Sequence, residues 1–164
     1  MSPCSLPSQR AVIYKTMIRS KMEYASTAWM GATPTSLAQL DSIQNRAIRI
    51  IGLPDDEILE HRIQPLNVRR TVGATTLFHR MFYKDAPELL CQQMPDIQSR
   101  DPRLRQSVRD HDLAVEVPRS NLVSHERTFL PSTTRVWNSL PANVPEIRSR
   151  ASFCKKVNHH LITT

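Results

Sequence analysis

Glycine is scarce in this chain. Gly31, Gly52 and Gly73 are the only 3 glycines in 164 residues, and they stand far apart. No glycine-rich loop able to cradle a phosphate can be drawn from them. Prolines outnumber them, at 12. That balance favours helices stopped by proline over a sheet-rich fold with glycine turns. Cysteine is as rare: Cys4, Cys91 and Cys154 are odd in number and widely spaced. They give no disulfide framework and point to a reducing compartment. Metal-ligand spacings are missing too, with no Cys-x-x-Cys and no His-x-x-x-His. The nearest cluster is Cys154 with His159 and His160, but adjacent histidines on a helix diverge by about 100°. They read as a polar helix end, where histidine suits the C-terminal dipole. Gly-x-Ser-x-Gly is absent, and Cys91 reads as a small core residue. The start, Met1–Pro7, lacks the apolar stretch of a secretory signal, and no run reaches the length of a membrane span. The expected location is intracellular, nuclear or cytoplasmic, with no membrane partner.

What is present is positive charge and helical periodicity. A chain of this length forms one domain, or one and a tail, and can bury a real core. Its apolar fraction is 40% and its net charge +7. A basic balance favours polyanions, nucleic acid before anionic membrane.

Residues 1–7 read as a disordered lead-in. Ser8 can cap a helix running to about Met30, with Gly31 as its left-handed stop. At 100° per residue Tyr14, Met17, Ile18, Met22, Ala25 and Trp29 share one stripe, with Lys15, Arg19 and Glu23 outside it. Thr33–Ser36 is a turn and cap. A second helix follows to about Ile51, ended by Gly52 and Pro54. Leu37, Leu40, Ala47, Ile48 and Ile51 form its inner face, which also carries Gln44, read as a buried amide bonded to nearby backbone. The short connection predicts an antiparallel helical hairpin. Asp55 or Asp56 can cap a short helix through Ile63, a placement unlike a polymerase acidic pair, which sits between apolar strands. A longer helix is expected over Val68–Tyr83, with Val72, Leu77, Phe78 and Met81 inward. Pro87 starts a turn through Cys91. Residues 94–111 read as an exposed, Pro-punctuated polar linker. Leu113–Val117 alternates like a short edge strand ended by Pro118. Helices are expected from Pro131 to Leu140 and, capped by Ser149 or Ser152, through Phe153, Val157, Leu161 and Ile162. Trp29 and Trp137 read as core anchors. The predicted fold is mainly α: a helical hairpin, further packed helices, a Pro-rich linker and at most a short edge strand. It divides into a helical region at 8–93, the linker at 94–111 and a C-terminal helical region at 112–164.

Four ordered segments carry a resemblance. The first is Tyr14, Lys15, Ile18, Arg19, Glu23, Tyr24 and Ala25 leading to Trp29. The second is Gln44-Asn45-Arg46-Ala47 with Arg49. The third is Arg69-Arg70-Thr71-Val72-Gly73-Ala74, then Leu77-Phe78-His79-Arg80-Met81. The fourth is Val117-Pro118-Arg119-Ser120 and Arg127-Thr128-Phe129-Leu130-Pro131, closing with Arg135-Val136-Trp137-Asn138-Ser139-Leu140-Pro141. In this order they resemble the region after the catalytic core of reverse transcriptases of jockey-like non-LTR retrotransposons. Family members carry an aromatic-Ala-Asp-Asp motif and further metal-binding carboxylates upstream, and neither fits in front of Tyr14. The resemblance therefore implies a thumb-like and downstream region without the palm. On its own such a region is not an enzyme and holds no metal or cofactor.

A thumb tracks the sugar-phosphate backbone, and arginine's planar fork suits phosphate. Lys15, Arg19, Arg46, Arg49, Arg69 and Arg70 are the expected phosphate contacts, with RNA or RNA–DNA duplex as a weak, non-specific partner. Arg100, Arg103, Arg105 and Arg109 read as solubilising linker charge. Two other readings stand beside this one. The chain is an α-helical interaction or self-associating module that uses apolar helix faces left uncovered by the missing palm. Or it is a relic without selected function.

Overall fold

A computed structural model describes residues 5–98 and 111–163. The protein is mainly helical, with no strand among the described residues. The N-terminal helix is built from α1 (Ser5–Ile13), a π-helical segment (Tyr14–Arg19) and α2 (Ser20–Glu23). Then come α3 (Pro34–Ile51), α4 (Asp55–Glu60), α5 (Leu66–Phe82) and α6 (Glu88–Cys91). The chain closes with α7 (Val123–Glu126), α8 (Phe129–Asn138) and α9 (Arg150–Thr163).

α3 forms where its punctuation dictates. The Thr33 hydroxyl accepts the Ser36 N–H at 3.2 Å and Pro34 opens the first turn. Gly52 closes the helix at φ 73°, its N–H reaching the Ile48 carbonyl at 3.0 Å. The N-terminal helix runs antiparallel to α3, as the Arg10–Ile50 (3.2 Å) and Tyr14–Gln44 (2.8 Å) bonds fix. Gln44 is the buried amide expected: its oxygen accepts from Tyr14 and its nitrogen donates to the Gln64 carbonyl at 3.2 Å. Burial pushes the Tyr14 phenol up to about 12, so the hydroxyl stays a donor.

The first helix departs from its expected course. It ends at Glu23, not Met30, because Tyr24 turns extended (ψ 128°) and Ala25 goes left-handed (φ 49°). The stripe drawn at 100° per residue fails as well. In a π-helical segment the bonds close over five residues, which rotates everything beyond it out of α register. Tyr14 is buried, but Met17 and Ile18 are 61% and 41% exposed. Trp29 therefore lies past the helix, half-buried, its indole N–H on the Tyr24 carbonyl at 3.0 Å, and is no core anchor. Gly31 is no left-handed stop either. A Cβ there would meet the Thr128 side chain at 3.2 Å, so the residue serves close approach to the C-terminal half.

Two apolar clusters result. The smaller joins Ala11, Tyr14, Ile51, Leu53 and Ile63. The larger joins Val72 and Phe78 of α5 to Val115, Trp137, Leu140, Val144, Phe153 and Val157. It spans both sides of the 94–111 segment. That segment's ends are core rather than exposed linker: Met94 packs on the cluster, and His111 is buried with its ring 2.7 Å from the Trp137 carbonyl. Residues 99–110, with the four linker arginines, lie outside the described residues. The expected edge strand shrinks to one bridge, Ile97 to Val115. Ala114 and Val115 are both buried, which breaks the alternation. The Asn138 side-chain amide takes the place of a second strand, accepting the Val115 N–H at 3.0 Å and donating to its carbonyl at 2.8 Å. Cys91 is half-buried in α6, its thiol on the Ala86 carbonyl at 3.3 Å, outside both clusters.

His79 sits inside the larger cluster. It stacks on Phe153 at 4.1 Å, and its Nε2 lies 2.7 Å from the Ile147 carbonyl. Burial lowers its pKa from 6.5, against the raising effects of that bond and of Asp85. The folded chain thus binds this proton more weakly than the unfolded chain does. The stability it confers is complete above pH 6.5 and is lost as pH falls through the depressed value. The urea midpoint is expected to hold steady from pH 8 to 7 and to fall below about 6.5, the ordinary histidine value. His79→Gln should flatten that fall; an unchanged acid slope would refute the assignment.

Candidate functional site

α5 and α9 make the most extensive helix pairing in the molecule, and a cleft of about 730 Å³ opens along it. From α5 it is lined by Arg69, Arg70, Gly73, Thr76 and Arg80, and from α9 by Arg150, Cys154, Lys155 and Asn158. Glu23 and Arg62 close one end. Six cationic side chains thus meet one carboxylate.

The geometry of that carboxylate is specific. Glu23 takes both faces of the Arg69 fork: Nη2 donates to Oε2 at 2.9 Å and Nε donates to Oε1. Arg19 Nε stands 3.9 Å from the same carboxylate. The Glu23 bond holds the Arg69 pKa above its ordinary value, and burial, then the neighbouring Arg69, lowers that of Arg19. Arg70 is 8% exposed. Its Nη2 is 3.7 Å from Asp41, its guanidinium lies 5.9 Å from the centre of the Trp29 ring, and among the described residues its buried Nη1 has no hydrogen-bond partner. Arg80 pairs with Asp85 at 3.4 Å. Among the described residues Arg62, Arg150 and Lys155 have no carboxylate within ion-pair distance.

The six cations picked out in the sequence separate into three groups. Arg69 and Arg70 lie together in the cleft. Lys15 and Arg19 instead donate to the His61 and Arg62 carbonyls at 3.2 and 2.9 Å, at the C-terminal end of α4, where a cation offsets unpaired carbonyls. Arg46 and Arg49 are exposed on the outer side of α3. Arg46 borders an apolar hollow of about 280 Å³ between α1 and α3, walled by Ile13, Ile18, Ile43, Ala47 and Ile50. Sequence reasoning missed Arg62, Arg80, Arg150 and Lys155. The dense cations around Ser149, Arg148-Ser149-Arg150 then Lys155-Lys156, were the available signal, since α9 begins there. Asp55 and Asp56 open α4. Among the described residues no three His, Cys, Asp or Glu side chains group as a metal site would require, and no helix is long and apolar enough to cross a membrane.

Set against protein-family models, curated proteins and solved structures, the chain matches none.

Proposed function

We propose that the chain is the thumb-like and downstream helical region of a jockey-like non-LTR retrotransposon reverse transcriptase. It is catalytically incompetent by itself, and its retained capacity is non-specific binding of RNA or RNA–DNA duplex through the phosphate backbone, inside the cell. What carries this reading is the way the four motif segments use one another. Tyr14 of the first bonds Gln44 of the second, and Glu23 of the first takes Arg69 of the third. Trp137 of the fourth packs on Phe78 of the third, ring centres 5.3 Å apart. These contacts join helices through residues of the resemblance, as expected if those residues encode this fold. Net charge of +7, and a cleft where three of six cations have no ion-pair partner among the described residues, support an affinity for polyanions.

A labelled RNA–DNA duplex followed by fluorescence anisotropy tests this. Three to five phosphate contacts give a log-log salt slope of roughly −3 to −4.5, since each contributes about −0.9. Absence of binding at low salt would end the nucleic-acid reading.

The apolar hollow between α1 and α3 favours a second reading, an interaction or self-associating module. Ile13 and Ile50 are 57% and 62% exposed there. Such a patch on a monomer marks an interaction site. A chain that elutes at twice its mass and binds no duplex would support it.

A further inference from the structure

We propose that the α5–α9 cleft is a discrete phosphate seat. In it Arg70 is the buried anchor, Arg150 and Lys155 are the entry cations, and the ligand is a phosphate group of a nucleic-acid backbone. The proposal rests on the backbone-binding reading and localises it.

Four observations converge on the same space. Cations outnumber carboxylates six to one along its walls, and three of the six have no ion-pair partner among the described residues. Such a concentration is self-repelling, and a phosphate inserted between the walls relieves it.

Arg70 adds a second signal. It is more than nine-tenths buried, yet among the described residues Nη1 has no hydrogen-bond partner, and Asp41 stands 3.7 Å from Nη2. A buried guanidinium N–H left unmade is costly. Arg70 lines the cleft, where a phosphate would meet a guanidinium whose planar fork donates to two oxygens at once.

The third signal is α9 itself. It is 14 residues long, carries no acid in its first turn and opens with Arg150. The positive end of the helix dipole thus stands uncompensated, with a cation added to it, against the usual preference for anions there. Gly73 is the fourth. It is exposed on the cleft wall in the interior of α5, and a Cβ there would meet nothing within 4 Å. No internal packing requires glycine at this place, where alanine is the better helix former. It leaves helix backbone open to a close-lying ligand. Among the described residues no aromatic ring lines the cleft, so it would hold phosphate without stacking a base and read no sequence.

The test compares two double charge reversals in the full chain, Arg150→Glu/Lys155→Glu in the cleft and Arg46→Glu/Arg49→Glu on α3. All four residues are exposed, so both proteins should keep the parent melt. The probe is the labelled RNA–DNA duplex at low and moderate salt. The cleft pair should weaken binding roughly ten- to a hundred-fold and cut the salt slope by about 2, as loss of two phosphate contacts requires. The α3 pair, away from the cleft, should weaken binding less than the cleft pair and leave more of the salt slope in place. If the α3 pair carries the loss and the cleft pair binds like the parent, the seat is refuted while backbone binding stands. If the parent binds no duplex, backbone binding fails. Pyrophosphate is then the deciding probe in a thermal melt. A stabilising shift that the cleft pair abolishes leaves a free-phosphate site, and no shift overturns the seat as well.

Discussion

Replacing Trp137 with alanine is expected to cost about 3–5 kcal/mol of folding stability, the usual range for a buried aromatic truncated to alanine. The ring is fully buried at the centre of the larger cluster. Phe78, Phe82, Phe153 and His111 surround it at centroid distances of 5.3, 5.1, 5.9 and 6.0 Å. Its indole N–H donates to the Leu113 carbonyl at 2.9 Å, so truncation also orphans a carbonyl. For a chain of this size the loss is a fall in melting midpoint of roughly 6–20 °C. Trp137→Phe keeps most of the area and loses the hydrogen bond, so it should fall well short of that. A near-parental melt for the alanine variant would mean that the aromatic cluster is not the core.

The second large effect is expected at Glu23. Glu23→Gln removes the charge that neutralises Arg69 and Arg19 at the cleft end. Breaking a fully buried pair costs about 3–5 kcal/mol. This one is roughly a quarter exposed, at 28% and 23%. Solvent screening reduces the expected cost to about 1–3 kcal/mol. Affinity for the duplex should move the other way. Glu23 is the one carboxylate lining the cleft among the described residues, so without it binding should tighten two- to tenfold, roughly 0.4–1.4 kcal/mol. Combining Glu23→Gln with Arg69→Met gives the coupling energy from a double-mutant cycle. A variant that loses stability and affinity together would show that Glu23 organises the binding surface rather than opposing it.

How far the sequence was readable follows from how local each signal is. α3 was legible from end to end because Thr33, Pro34, Gly52 and Pro54 are short-range punctuation that acts within a turn. Gln44 was legible too, as an amide on an apolar face. Trp29 was misjudged because the 100° period assumes an α-helix throughout, and the π-helical segment at Tyr14–Arg19 leaves no mark in composition. The Leu113–Val117 alternation named a strand, but its backbone pairing is one bridge to Ile97, and the Asn138 side chain that holds its other edge cannot be read from a local pattern. The cleft was half legible. Arg69 and Arg70 stood out as an adjacent pair. That Arg150 and Lys155 face them depends on how α9 packs on α5, which is a tertiary fact. Lys15 and Arg19 were legible as cations but not as caps of α4, since their carbonyl partners lie more than forty positions away.

The larger cluster joins the middle of the chain to its C-terminal part, and this has a consequence for synthesis. The inner face of α5, with Val72, Phe78 and Met81, is complete once Phe82 has left the ribosome. Its cover, Trp137, Phe153 and Val157, is made last. At ordinary elongation rates of about 5–20 residues per second, that face waits several seconds for its partners. The N-terminal hairpin can close on its own cluster in the meantime, but α5 cannot. A nascent chain halted between α6 and α8 would therefore present a bare apolar helix, a natural ligand for a ribosome-associated chaperone, and one that release of the finished chain should withdraw at once.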